Sequence, residues 1–132
     1  MNLILFLVIA LFSSNGMENS ISKLYLYDTN SWDLVKSNTK SIEVDSSDLS
    51  KMIAILEKAK PKKNPIYKPA ANSLYGKVEI EGKLVNIRIS SGIIYINEGE
   101  KRHYFIKNKE DIEWMESFSK KYSLRLRNNK TE

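Results

Sequence analysis

The stretch from residue 74 to residue 107, LYGKVEIEGKLVNIRISSGIIYINEGEKRHYFIK, decides the fold. Apolar and polar side chains alternate along it, which is the period of a β-strand with one buried face. Three short polar pairs interrupt the alternation, and each contains a glycine of the kind found in tight turns. These pairs are Glu81-Gly82, Ser91-Gly92 and Glu98-Gly99. The pattern predicts a four-strand antiparallel meander.

Two helices are predicted, one on each side of the meander. The first has three good N-cap candidates at its start, Asp45, Ser46 and Ser47. It has Asp48 in its first turn and stops at Pro61. Its apolar positions recur with a period near 3.6 and are Leu49, Met52, Ile53, Leu56 and Ala59. The second helix is capped by Asn108, and its apolar stripe is Ile112, Met115, Phe118 and Tyr122.

Two further strands are predicted upstream, at Lys23–Tyr27 and at Ser41–Asp45, with a strand or turn at Trp32–Val35 between them. Residues 62–73 contain two of the three prolines and are expected to be irregular. The order of elements predicts an α+β fold. We expect an antiparallel sheet with both helices packed on one face.

The first sixteen residues are predicted to be an export signal. Leu3 to Phe12 is an uncharged apolar run, too short to span a bilayer but suited to the core of a signal peptide. The small residues from Ser13 to Gly16 suit cleavage after Gly16. The interpretation is therefore a signal at 1–16 and a single domain at 17–132, with a flexible tail at 123–132. No membrane span is expected after cleavage.

Alternatives to cleavage stay open at this point. The apolar run could remain as an anchor, or translation could begin at Met17 and leave the protein in the cytosol. The chain has no cysteine, whereas small exported animal domains usually depend on disulfides. A periplasmic or secreted bacterial protein is therefore the favoured interpretation.

The formal net charge is +5, and most of the basic residues are lysines. Such a charge favours anionic partners, but lysine lacks the planar fork with which arginine recognises bases and phosphates. Nucleic acid is not expected as a partner, because export removes it from reach and no aromatic residues alternate with the lysines along the chain.

No constellation of residues predicts catalysis. His103 is the single histidine of the chain, and neither a nucleophile motif nor a glycine-rich phosphate loop is present. A metal site would need more histidines or a thiol, so no metal and no cofactor are expected. The acidic residues at the start of the second helix are explained by the helix dipole.

The strongest candidate for a binding site is a basic, proline-rich segment. Its candidate residues are Lys58, Lys60, Lys62, Lys63, Tyr67 and Lys68. Proline limits the entropy lost on docking, and tyrosine is enriched at interface hot spots. The expected partner is an acidic protein or an anionic envelope polymer.

The favoured hypothesis is thus a small exported, non-enzymatic binding protein, for example an inhibitor or an immunity protein. Two alternatives stay open. One is a small hydrolase that uses His103, and the other is a carrier with a small ligand enclosed between sheet and helices.

Overall fold

The computed structural model describes residues 20–29, 32, 39–63, 73–90 and 92–129. The predicted export segment lies outside these residues, as does most of the predicted element at Trp32–Val35. The elements in chain order are β1 (Ile21–Tyr27), β2 (Ser41–Glu43), α1 (Ser46–Lys58), β3 (Pro61–Lys63), β4 (Leu74–Ile80), β5 (Lys83–Ile89), β6 (Ile93–Asn97), β7 (Lys101–Phe105) and α2 (Lys109–Asn129). Neither helix in the described ranges is long and apolar enough to cross a membrane.

All seven strands form one antiparallel sheet in the order β2-β1-β4-β5-β6-β7-β3. The predicted meander is confirmed, because β4 to β7 are consecutive neighbours. At its first turn both Glu81 and Gly82 have positive φ angles, 51° and 81°. This is the backbone of a type I′ turn, whose twist matches that of the flanking strands.

The segment after α1 differs from its sequence prediction. Pro61, Lys62 and Lys63 are not part of an irregular loop but form β3, which pairs with β7. Proline is tolerated here because β3 is an edge strand and Pro61 is its first residue. The prediction failed because the partner strand lies some forty residues further along the chain, beyond the reach of a local pattern.

One face of the sheet and both helices enclose the core, which confirms the predicted α+β arrangement. The strands contribute alternate apolar residues, such as Leu26 and Ile94, each 0% exposed. From the helices the buried apolar side chains are Leu49, Met52, Ile55, Leu56, Met115, Phe118, Tyr122 and Leu126. Fully buried side chains thus occupy the space in which a carrier would enclose its ligand.

The helices differ from prediction in two details. Ile55 is buried in α1 although it was not in the predicted stripe, whereas Ile53 is only half-buried and Ala59 follows the helix as its C-cap. α2 continues to Asn129, through a segment that the sequence predicts to be a tail. Its continuation has a physical reason, because Leu126 is 5% exposed and adds an apolar contact to the core.

The two helices run antiparallel and contact each other at both ends. At one end Lys58 of α1 forms an ion pair with Asp111 of α2, at 2.8 Å. At the other end Tyr122 of α2 donates a hydrogen bond of 2.6 Å to Asp48 of α1, and its hydroxyl accepts one of 3.0 Å from the backbone N–H of Asp45. We call this second contact the tyrosine clamp (Asp45, Asp48, Lys121, Tyr122 and Arg125).

Ion pairs complete the tyrosine clamp. Lys121 lies 2.7 Å from Asp48, and Arg125 lies 3.0 Å from Asp45. Asp45 is the N-cap residue of α1, as predicted, but its side chain makes no cap hydrogen bond. Its carboxylate turns to Arg125 instead, and the hydrogen bond from Arg125 lowers the pKa of Asp45.

Burial and the hydrogen bond to Asp48 raise the pKa of Tyr122 to about 12. Burial alone would also raise the pKa of Asp48, but hydrogen bonds from Lys121 and Tyr122 lower it below its usual value. A lowered carboxylate pKa stabilises the fold at neutral pH, and this contribution is lost as the pH falls through the folded-state pKa.

Replacing Gly76 by alanine should destabilise the sheet. A Cβ at this position in β4 would overlap with the carbonyl oxygen of Tyr25 in the neighbouring strand. Because backbone must move to relieve the overlap, we expect a loss of about 1–3 kcal/mol in the free energy of unfolding. Gly92→Ala is the control, since an added Cβ there meets nothing within 4 Å. Urea denaturation measures both variants, and equal stabilities would contradict the close approach at Gly76.

Replacing Tyr122 by phenylalanine should destabilise the helix pair by about 1–3 kcal/mol, because Asp48 and the N–H of Asp45 lose a hydrogen-bonding partner. The wild type should also lose stability as the pH rises from 10 towards about 12, where the folded state retains the phenolic proton and the unfolded state releases it. Tyr122→Phe should lack this part of the alkaline loss.

Urea denaturation at neutral and alkaline pH measures both effects. Tyr25→Phe is the matched control, because no hydrogen bond of the Tyr25 hydroxyl is found within the described residues. An alkaline loss of the same size in Tyr122→Phe and in the wild type would show that the clamp does not hold the phenolic proton.

Candidate functional site

The predicted binding residues divide into three groups. Lys58 is the last residue of α1, Lys60 lies in the connection that follows, and Lys62 belongs to β3. Lys63 pairs opposite Arg102 through its backbone in β3. Tyr67 and Lys68 lie outside the described residues. Of the six predicted residues, the structure therefore describes the side chains of Lys58, Lys60 and Lys62.

These three lysines border one open cleft with a volume of about 480 Å³. The cleft lies where α1 ends, α2 begins and β3 pairs with β7. Its lining residues are Ile55, Lys58, Ala59, Lys60, Lys62, Phe105, Ile106, Lys107, Asn108 and Asp111. We call it the lysine cleft. It brings Lys107, which follows β7, next to lysines that precede it by more than forty residues.

The lysine cleft has an excess of positive charge. Its lining contains four lysines and one acidic residue, Asp111. Asp111 pairs with Lys58. Within the part of the chain that the structure describes, Lys60, Lys62 and Lys107 make no ion pair. Three ammonium groups therefore border the same cavity without a compensating carboxylate from the described residues.

Asp111 is held in place by the start of α2. Its backbone N–H donates a hydrogen bond of 3.2 Å to the side-chain oxygen of Asn108, which confirms the predicted cap. The N–H of Ile112 donates to the carbonyl of Asn108 at 3.0 Å. A carboxylate in the first turn is favoured by the helix dipole. The acidic charge of the cleft is thus a built-in part of the fold.

The floor of the lysine cleft is apolar. Ile55 and Ile106 are buried beneath it, while Ala59 and Phe105 are half-buried. The ammonium group of Lys62 lies 5.3 Å from the centre of the Phe105 ring, within the range of a cation–π contact. A ligand that combines an apolar group with negative charge would match both parts of the lining.

A second cluster lies on the face of the sheet opposite α1 and α2. The strand registers place six side chains in a single row across it: Tyr27, Tyr75, Arg88, Tyr95, His103 and Lys62. The middle of this row is buried, since Arg88, Tyr95 and His103 are 8%, 7% and 7% exposed. Across neighbouring strands, the guanidinium of Arg88 therefore lies between two tyrosines, Tyr75 and Tyr95.

Trp32 packs on the middle of this row. Its indole N–H donates a hydrogen bond of 3.2 Å to the carbonyl of Ile87, and its ring lies 5.1 Å from that of Tyr75. The guanidinium of Arg88 lies 5.7 Å from the Trp32 ring and 4.9 Å from the Tyr95 ring. The row is thus a packed aromatic cluster that fixes Trp32 to the sheet.

His103 belongs to this cluster. Its ring lies 4.7 Å from that of Tyr95. Burial lowers its pKa, and the positive charges of Arg88 and Lys101 lower it further. On the same strand, Arg102 forms an ion pair with Glu100 at 3.3 Å. In the described ranges no group of three or more histidine, aspartate or glutamate side chains could hold a metal ion.

Sequence reasoning missed two parts of the lysine cleft. Lys107 and Phe105 enter it only because β3 pairs with β7, and no local pattern signals that pairing. Asp111 was explained by the helix dipole alone, although its partner Lys58 was already among the candidates. No protein-family model, curated protein or solved structure matches this chain. Its function is therefore inferred from the geometry of the cleft.

Proposed function

We propose that this chain is a small exported, non-enzymatic binding protein whose lysine cleft receives an acidic segment of a protein partner. The observation that carries the proposal is the set of three lysines, Lys60, Lys62 and Lys107, around one cavity in which the described residues provide no carboxylate to compensate them. Like charges held together in this way repel each other. A partner that supplies carboxylates would relieve the repulsion.

The apolar floor favours a protein over an anionic polymer of the cell envelope. A polymer of sugars and phosphates would satisfy the lysines but would leave Phe105 and Ala59 without apolar contacts. A protein segment can place an apolar side chain next to an acidic one, and thus match both the floor and the rim. Lys58 has a different role, because it compensates the carboxylate of Asp111.

An inhibitor or immunity protein is the role that best fits this proposal. Such proteins act by occupying a surface of their target and need no catalytic residues of their own. Electrostatic complementarity speeds the encounter of oppositely charged partners and suppresses wrong ones. A basic cleft on a small, rigid domain would provide that complementarity towards an acidic target.

The test is affinity capture from an envelope extract, with the tagged chain as bait, at an ionic strength of ~0.15 M. We expect the wild type to retain an acidic protein that mass spectrometry identifies. The cleft variant Lys60→Gln/Lys62→Gln/Lys107→Gln should bind that purified protein about tenfold or more weakly, because three attractive charges are removed.

The matched control is Lys51→Gln/Lys83→Gln/Lys120→Gln, which removes the same charge from exposed positions outside the cleft. It should retain the affinity of the wild type within about twofold. Equal losses in both triple variants would contradict a role for the cleft. Retention of an envelope polysaccharide in place of a protein would contradict the choice of partner.

We further propose that residues 1–16 direct export and are removed. Expression in a bacterial host should yield an extracytoplasmic chain whose N-terminus is Met17, as measured by mass spectrometry. Gly16→Leu should block cleavage, because signal peptidase requires a small residue before the cut. If translation began at Met17, the same variant would leave both the mass and the compartment unchanged.

A further inference from the structure

Among the described residues, Asp111 is the one acidic side chain in the lining of the lysine cleft. Its side chain is 6% exposed, whereas that of its partner Lys58 is 58% exposed. The carboxylate is therefore fixed below the surface, and the lysine covers it from the solvent side. An anion that enters the cleft meets this resident negative charge as well as the lysines.

The resident charge discriminates between ligands of different charge. Coulomb repulsion is proportional to the charge of the incoming group. A phosphate monoester carries about −1.5 to −2 at neutral pH, whereas a carboxylate carries about −1. Asp111 thus opposes a phosphate roughly twice as strongly as it opposes a carboxylate.

The start of α2 is also less open to phosphate than most helix N-termini. Phosphates commonly bind there through unpaired backbone N–H groups. Here the N–H of Asp111 donates to the side chain of Asn108, at 3.2 Å. The carboxylate of Asp111 adds a negative charge in the same first turn, 2.8 Å from the ammonium of Lys58.

We infer that Asp111 is a specificity-determining residue, which shifts the preference of the lysine cleft away from phosphate groups and towards carboxylates. This inference rests on the proposed function and names its ligand chemistry more narrowly. The acidic partner of this proposal presents aspartate or glutamate side chains or a C-terminal carboxylate, which Asp111 repels less strongly than it repels phosphate.

The experiment compares two peptide probes by nuclear magnetic resonance titration of the isotope-labelled full domain at constant ionic strength. One peptide carries a leucine between two glutamates, and the other carries phosphoserine in place of each glutamate. Dissociation constants come from amide shifts in residues 58–62 and 105–111. The wild type should bind the glutamate peptide through these residues.

Asp111→Asn should strengthen binding of the glutamate peptide by about threefold and of the phosphopeptide by about tenfold, since the removed repulsion scales with ligand charge. Lys58→Gln should shift the ratio of the two affinities in the opposite direction, towards glutamate. The double variant Lys58→Gln/Asp111→Asn leaves the net charge of the cleft unchanged and should restore the wild-type ratio. Glu110→Gln is the control for an equal charge change on the same helix outside the cleft.

An unchanged affinity ratio in both Asp111→Asn and Lys58→Gln would overturn the role of Asp111. The proposed function would survive that result if the wild type bound the glutamate peptide in the cleft. If neither peptide shifted residues 58–62 and 105–111, the proposed function would fail together with the inference. The dispersion of amide shifts shows whether each variant is folded. If Asp111→Asn is not folded, the affinity ratio of Lys58→Gln still provides the test.

Discussion

The fold depends on the need to cover one apolar face of a wide antiparallel sheet. A single helix of thirteen residues, such as α1, is about 20 Å long, too short and narrow to cover such a face alone. α2 completes the cover by lying antiparallel beside α1. Asp48 and Lys58 are ten positions apart in α1, and Asp111 and Tyr122 are eleven positions apart in α2. The two helix contacts are therefore about 15 Å apart along each helix.

The antiparallel arrangement decides where charge accumulates. It places the C-terminus of α1 next to the N-terminus of α2, where the dipoles favour a cation and an anion respectively. The pair of Lys58 and Asp111 satisfies both preferences. That ion pair is therefore explained by the helices, whereas Lys60, Lys62 and Lys107 are not needed for it.

The sequence predicts the local parts of this molecule well and the non-local parts poorly. The period of residues 74–107 and the turn at Glu81-Gly82 suffice for the meander. The two-residue turn at 81–82 also places Tyr75 opposite Arg88, which is one pair of the aromatic row. The contact of Trp32 with that row could not be predicted, since nothing near Trp32 in sequence indicates which strands it meets.

The same distinction holds at the candidate site. Lys58, Lys60 and Lys62 are close in sequence, so their clustering was visible in the chain itself. Lys107 and Asp111 join them through the pairing of β3 with β7 and the packing of α2, both of which are long-range contacts. Local composition indicated a basic segment, but only the fold shows that it forms a cleft with an apolar floor.

At the lysine cleft, the arrangement of charges conflicts with the preference of a stable fold for paired charges. At one end of the helices the charges are paired, in the tyrosine clamp, where Lys121 and Arg125 face Asp45 and Asp48. At the opposite end of the same helices three lysines remain without carboxylate partners within the described residues. Stability alone would favour an acidic residue among them. Proteins tolerate such local conflicts at functional sites, and the uncompensated charge is the physical reason for proposing that the cleft binds a ligand.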